Sequence, residues 1–158
     1  MDNSDLSIGK SETNNPSPIV ILVVEDNIGN FKLIARLLGS LAAHGLKLDE
    51  ALYVASPFGL EPAYRAALEL TARRRDFTAL FAMSDIMAIG AIRALGEAGL
   101  CVPGDVSVIG FDGIEMARFT CPPLATVEQP AEEIARAGVE LMLRLLEDPE
   151  DCEYRIVK

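Results

Sequence analysis

The chain has one histidine, His44, and three cysteines, Cys101, Cys121 and Cys152, among 158 residues. So small a set, with no Cys-x-x-Cys pair, does not supply a zinc site, and a lone histidine argues against a His-dependent nucleophile. Three widely spaced thiols fit reduced cysteines better than a disulfide framework. Long apolar runs are missing as well. The longest, Ile19–Val24, has six residues, whereas a bilayer-spanning helix needs about 20. The N-terminus, Met1-Asp2-Asn3-Ser4-Asp5, lacks the basic start and apolar middle of a secretory signal. A cytoplasmic protein is expected, with no membrane partner. Positive charge is also scarce: 14 basic against 24 acidic side chains give a net charge of −10. Phosphate backbones are repelled by such a surface. The densest basic run, Arg73-Arg74-Arg75, suits the end of a helix and is too short for a nucleic-acid footprint. With no helix-turn-helix pattern either, no nucleic-acid contact is expected of this chain alone.

The remaining sequence alternates between strand and helix patterns. Residues 1–18 are polar, contain Pro16 and Pro18, and read as a flexible arm. Residues 19–158 read as one domain. Ile19–Val24 is apolar and rich in β-branched residues, as a strand buried on both faces should be. Phe31, Ile34, Leu38 and Leu41 then form a helical stripe that ends near Gly45. Strands are expected at Ala51–Ala55, Ala79–Met83, Val106–Gly110 and Leu124–Val127, with helices at about Glu61–Arg74 and Ile86–Ala98. A last helix opens at Pro130, with Ile134, Ala137, Leu141, Met142 and Leu145 as its buried face. Glu153–Val157 is a candidate sixth strand at an edge. Alternation of this kind calls for crossover connections, hence a parallel sheet. The expected fold is a three-layer α/β/α domain with flavodoxin-like strand order 2-1-3-4-5. In such sheets ligands bind beyond the carboxyl ends of the strands.

Four acids fall at or just after those ends: Glu25, Asp26, Asp85 and Asp112. Glu25, Asp26 and Asp85 are candidate ligands for Mg²⁺, because clustered carboxylates hold hard cations through oxygen. Capping of the following helix is an equally simple use for Asp26 and Asp85. No other cofactor is expected.

Residues 18–45, with Val24-Glu25-Asp26-Asn27 followed by Leu33, Ile34 and Leu37, resemble the opening of a response-regulator receiver domain. The resemblance implies that Glu25 and Asp26 help to hold Mg²⁺ and makes Asp85 the nearest phosphoryl acceptor. The receiver pattern also has a Lys ending strand five, and Leu124–Glu128 contains none. Without that cation, charge developing on a transferring phosphoryl group lacks a clamp.

From about residue 45 onward three blocks, Ala79–Gly96, Val102–Gly113 and Pro122–Pro130, resemble the C-terminal effector-binding lobe of the lac-repressor and purine-repressor family. That family builds two periplasmic-binding-protein-like lobes around an effector and adds a DNA-binding headpiece; the resemblance covers one lobe. It implies that Asp112 binds effector, that Ser84 is a polar ligand contact, and that Phe58 stacks on a sugar or base. The bland uses are a loop aromatic for Phe58, a helix N-cap for Ser84 and a turn residue for Asp112. The family's effector-contacting arginine aligns near Leu33, which implies weak binding. Two resemblances with a seam near residues 40–50 suggest a recombined or engineered chimera, not an enzyme, with no evolved activity. The alternatives are weak sugar or purine binding within a transcriptional regulator, and a phosphoryl-accepting receiver. The chain is expected to be a monomer or a homodimer.

Overall fold

The computed structural model describes residues 19–23, 39–45 and 50–150. Five parallel strands form one sheet: β1 (Ile19–Val23), β2 (Tyr53–Ala55), β3 (Ala79–Ala82), β4 (Ser107–Asp112) and β5 (Ala125–Glu128). Their spatial order is β2-β1-β3-β4-β5, as the alternation predicts. β1 is the switch strand, and Ile21 stands beside both Tyr53 and Phe81. Val23, two residues on, lies beside Ala55 instead. The described part is the core of a three-layer α/β/α architecture. Residues 1–18, Glu25, Asp26 and the Phe31–Leu38 stripe lie outside the described residues, as does the candidate strand Glu153–Val157.

Three helices follow: α1 (Leu60–Arg73), α2 (Asp85–Glu97) and α3 (Ala131–Glu147). α1 links β2 to β3, α2 links β3 to β4, and the two pack closely on each other. The core lies between them and the sheet. It contains Ala63, Ala67 and Leu70 from α1, and Met87, Ala91 and Leu95 from α2, set against Val54, Leu80 and Val108. Each fully buried Leu or Met there contributes about 1.5–3 kcal/mol. The small residues allow close approach: a Cβ on Gly90 would lie 2.3 Å from the Leu60 carbonyl oxygen. Arg75 fastens the far ends of both helices, donating to the carbonyls of Thr71 and Ala98 at 3.3 and 3.1 Å. These are carbonyls that a helix C-terminus leaves without an internal partner. Residues 39–43 are helical, with Leu41 half-buried against the core. The turn at Gly45, φ +73°, follows them, and His44 is exposed with Nδ1 2.8 Å from the Ser40 carbonyl oxygen.

Two differences from the sequence pattern bear on function. β4 runs two residues past Gly110, so Asp112 is the last residue of the strand and not part of the following turn. The second concerns α3, whose expected buried face is not buried. No residue of α3 is buried, and Ile134 and Met142 are exposed while Ala137, Leu141 and Leu145 are only half-buried. Amphipathic spacing identifies a face that suits burial, but nothing among the described residues covers this one. No described helix is long and apolar enough to cross a membrane.

Candidate functional site

The strands are parallel, so their carboxyl ends share one rim. Phe58 lies in the loop between β2 and α1 and is 69% exposed. Ser84 stands between β3 and α2, and Asp112 ends β4. Strand spacing of about 4.8 Å puts β2 and β4 roughly 14 Å apart across β1 and β3. Ser84 and Asp112 therefore belong to neighbouring strand ends, while Phe58 stands at the other side of the rim.

Asp112 has φ +114°, an uncommon conformation for a residue with a side chain. Contacts from β5 and from α2 hold it and the residues that follow it. On the β5 side, Gln129 Nε2 donates to Asp112 Oδ1 at 2.5 Å, and the Gln129 backbone N–H donates to the Asp112 carbonyl at 3.2 Å. The Gly113 N–H donates to Thr126 Oγ1 at 3.3 Å. Gly113 itself has φ +76°, and a Cβ there would fall 2.8 Å from Glu128 Cα. On the α2 side, the Ile114 N–H donates to Asp85 Oδ2 at 2.8 Å. Asp112 remains half-buried, so its carboxylate keeps acceptor capacity for hydroxyl or ring N–H donors.

Ser84 has the extended backbone of an N-cap, and its carbonyl accepts from the Ala88 N–H at 2.9 Å. Its hydroxyl makes no capping bond. It is 4% exposed, and Oγ has no hydrogen-bond partner among the described residues. Asp85 does not cap α2 either. It is the first residue of α2, fully buried, and its carboxylate reaches across to the loop after β4. Of the trio Glu25, Asp26 and Asp85, only Asp85 is among the described residues, where it is fully buried. Among the described residues no group of three His, Cys, Asp or Glu side chains is placed to hold a metal ion.

Gln129 and Thr126 are the site residues that sequence reasoning missed. The signal was available in the strand order: β4 and β5 are neighbours, and Asp112 pairs in register with Glu128. The residue after Glu128 therefore stands beside the Asp112 turn. A hollow of about 630 Å³ opens at this place, lined by Glu128, Gln129, Pro130, Ala131, Glu132 and Glu133.

Comparison with known proteins bears on the fold and the family. A family model described as a periplasmic binding protein-like domain matches residues 30–157. The chain belongs to this family. The periplasmic binding protein-like match begins inside the stretch 18–45 that resembles a receiver, and it runs across the seam drawn at 40–50. The comparisons lend no support to a receiver unit or a chimera. The chain is 38% identical over 107 residues to the HTH-type transcriptional regulator MalR of Clostridium butyricum, covering 68% of this chain and 32% of that protein. It is 41% identical over 109 residues to the HTH-type transcriptional repressor PurR of Erwinia tasmaniensis, covering 69% and 32%. Among solved structures, a CelR–cellobiose complex matches with TM-score 0.78 and 30% identity over 83% of this chain and 40% of that one. The Escherichia coli repressor AscG matches with TM-score 0.74 and 34% identity, covering 83% and 48%. These relatives are transcriptional regulators and not enzymes. The chain spans about a third of the length of the two curated relatives.

Proposed function

We propose that this periplasmic-binding-protein-like lobe carries part of the effector site of a transcriptional regulator, taking a neutral small molecule rich in hydroxyl or ring N–H donors, a sugar or a purine. The observation that carries the reading is Asp112. A carboxylate at the end of a central strand, held at φ +114° by Gln129, is an acceptor aimed at the rim where parallel sheets bind ligands. Phe58 adds an exposed aromatic face for the apolar side of a ring. The described residues directly after the strand ends are Ser56–Gly59, Met83 and Ser84, Gly113 and Ile114, and Gln129 and Pro130. They contain no Lys, Arg or His, while Arg65 lines the hollow beside Ser56 and Pro57. One solved neighbour is a cellobiose complex, in line with a neutral sugar, and another is a LacI-family regulator complexed with phosphate. DNA contact is not assigned to the described residues.

Calorimetric titration of the chain with a panel of neutral sugars and nucleobases, each beside its phosphate ester, tests the reading. The expected result is millimolar binding of one neutral compound, lost in Asp112→Ala and weakened several-fold in Phe58→Ala. No heat from any neutral compound at millimolar concentration rejects it.

A further inference from the structure

We propose that Asp85 is a positioning residue that fixes the backbone of the Asp112 turn from the α2 side, without touching ligand itself. The proposal takes from the effector-site reading only the importance of Asp112; the geometry stands apart from it. Asp85 brackets Asp112 from both directions along the chain. Two residues after Asp112, the Ile114 N–H donates to Asp85 Oδ2 at 2.8 Å. Two residues before it, Gly110 lies so close that a Cβ there would fall 2.2 Å from Asp85 Oδ1 and 3.2 Å from Asp85 Cα. β4 therefore rests directly on the start of α2 just where the strand ends. The turn between these two contacts contains both unusual backbone angles, φ +114° at Asp112 and φ +76° at Gly113.

The bonds from β5 do not replace this contact. Gln129 and Thr126 hold the Asp112 carboxylate, the Asp112 carbonyl and the Gly113 N–H. Thr126 pairs with Gly110 in the β4–β5 ladder, but none of these bonds engages Ile114. A turn tied on one side only can relax toward negative φ, and the carboxylate would then swing off its line. A carboxylate suits the task for two reasons. It is a strong, charge-assisted acceptor for an N–H, and at the first position of a helix its charge is favoured by the dipole of α2. Asp85 itself is fully buried, which limits the access of water to its side of this bond.

The test uses Asp85→Ala, Asp85→Asn and Ile114→Pro in the whole chain. Asparagine keeps an oxygen able to accept from Ile114. Proline deletes the donor without altering α2, and the φ of −67° at Ile114 already suits it. It also restricts Gly113 and removes a side chain packed on the core, so Asp85→Ala, which does neither, must give the same change. Nuclear magnetic resonance couplings that report φ at Asp112 provide the readout, with hydrogen-exchange protection of the Ile114 N–H in the Asp85 variants. The expected result is that Asp112 leaves positive φ in Asp85→Ala and in Ile114→Pro and stays there in Asp85→Asn. Ile114 protection should fall at least tenfold in Asp85→Ala. Unchanged Asp112 couplings in Ile114→Pro overturn the proposal, and do so even if Asp85→Ala fails to fold. A purely structural aspartate would lower the melting temperature and leave those couplings alone. The same variants titrated with the neutral compounds of the panel separate the two claims. If the parent gives no heat, the effector reading fails and the couplings alone decide the role of Asp85.

Discussion

Gly90 of α2 lies against the first turn of α1, so close that a methyl group on it would come within 2.3 Å of the Leu60 carbonyl oxygen and 3.1 Å of the Tyr64 nitrogen. The obstacle is backbone, which cannot rotate away. Gly90→Ala should therefore destabilise the chain by about 1–3 kcal/mol, the usual cost of overpacking. Gly96, one and a half turns further along the same helix, is open: a methyl group there would meet nothing within 4 Å. At that position alanine should stabilise by about 0.5–1 kcal/mol through helix propensity. Urea unfolding of the two variants should shift the midpoint in opposite directions. Equal shifts would mean that α1 and α2 do not cross at Gly90.

A second contact between the same helices makes a pH prediction. Tyr64 Oη donates to Glu97 Oε2 at 2.5 Å, and Arg93 Nε donates to Glu97 Oε1 at 3.1 Å. The guanidinium also lies 5.6 Å from the Tyr64 ring centroid. The Tyr64 hydrogen bond, reinforced by Arg93, holds Glu97 below the usual carboxylate range. The bond to Glu97 likewise raises Tyr64 above the usual phenol value. For Glu97 the linked stability is present above about pH 4.3 and disappears as pH falls through its lower folded value. For Tyr64 it is present below about pH 10 and disappears as pH rises through its higher folded value. The groups are exposed, so salt should weaken both effects. In a phenolate absorbance titration, Glu97→Ala should bring the latest tyrosine step to lower pH. No movement would show that the contact does not persist in solution.

The sheet was legible in the sequence because parallel strands are short, largely apolar runs between turn residues, and Ile19–Val23 and Ala79–Ala82 are apolar throughout. Strand order followed from the crossovers. The position of Asp112 on the rim followed from the strand pattern and its effector role from the resemblance, but its conformation from neither, since a φ of +114° is held by contacts from β5 and α2. The partner of Asp85 was not legible for the same reason. Its position before a helical stripe says N-terminus, and only the tertiary structure shows the carboxylate bonding 29 residues away. The receiver resemblance rested on Val24-Glu25-Asp26-Asn27, a stretch too short to separate two families that both place a buried strand at the start of a parallel sheet.

Strain at Asp112 predicts a separation of stability from function. Left-handed or similarly rare angles cost about 1–3 kcal/mol for a residue with a side chain, and glycine adopts them freely. Asp112→Gly should release that strain, set against a glycine entropy cost of about 0.5–1 kcal/mol and the lost Gln129 bond. The net expectation is a stability within about 1 kcal/mol of the parent, together with complete loss of binding to whichever neutral compound the parent takes. Calorimetry and chemical unfolding on one preparation check both halves. Retained binding would remove Asp112 from the site.

The exposed face of α3 makes the last prediction. Val139, Met142, Leu143 and Leu146 are all more than half exposed, Leu146 at 76%, and no residue of the helix is buried. An apolar stripe of this size in water favours association. Sedimentation velocity should show the chain moving from monomer to larger species as concentration rises. Replacing both Met142 and Leu146 with lysine should suppress that association. It should leave stability within about 0.5 kcal/mol, the usual range for surface changes, because neither side chain is part of the core. These two readouts discriminate between an uncovered helix and a covered one. If the double lysine variant unfolds more easily, the stripe is packed against the chain itself and α3 lies differently on the sheet. If association persists unchanged, the contact surface lies elsewhere, and the exposed Met116 and Phe119 of the turn before β5 become the next residues to substitute.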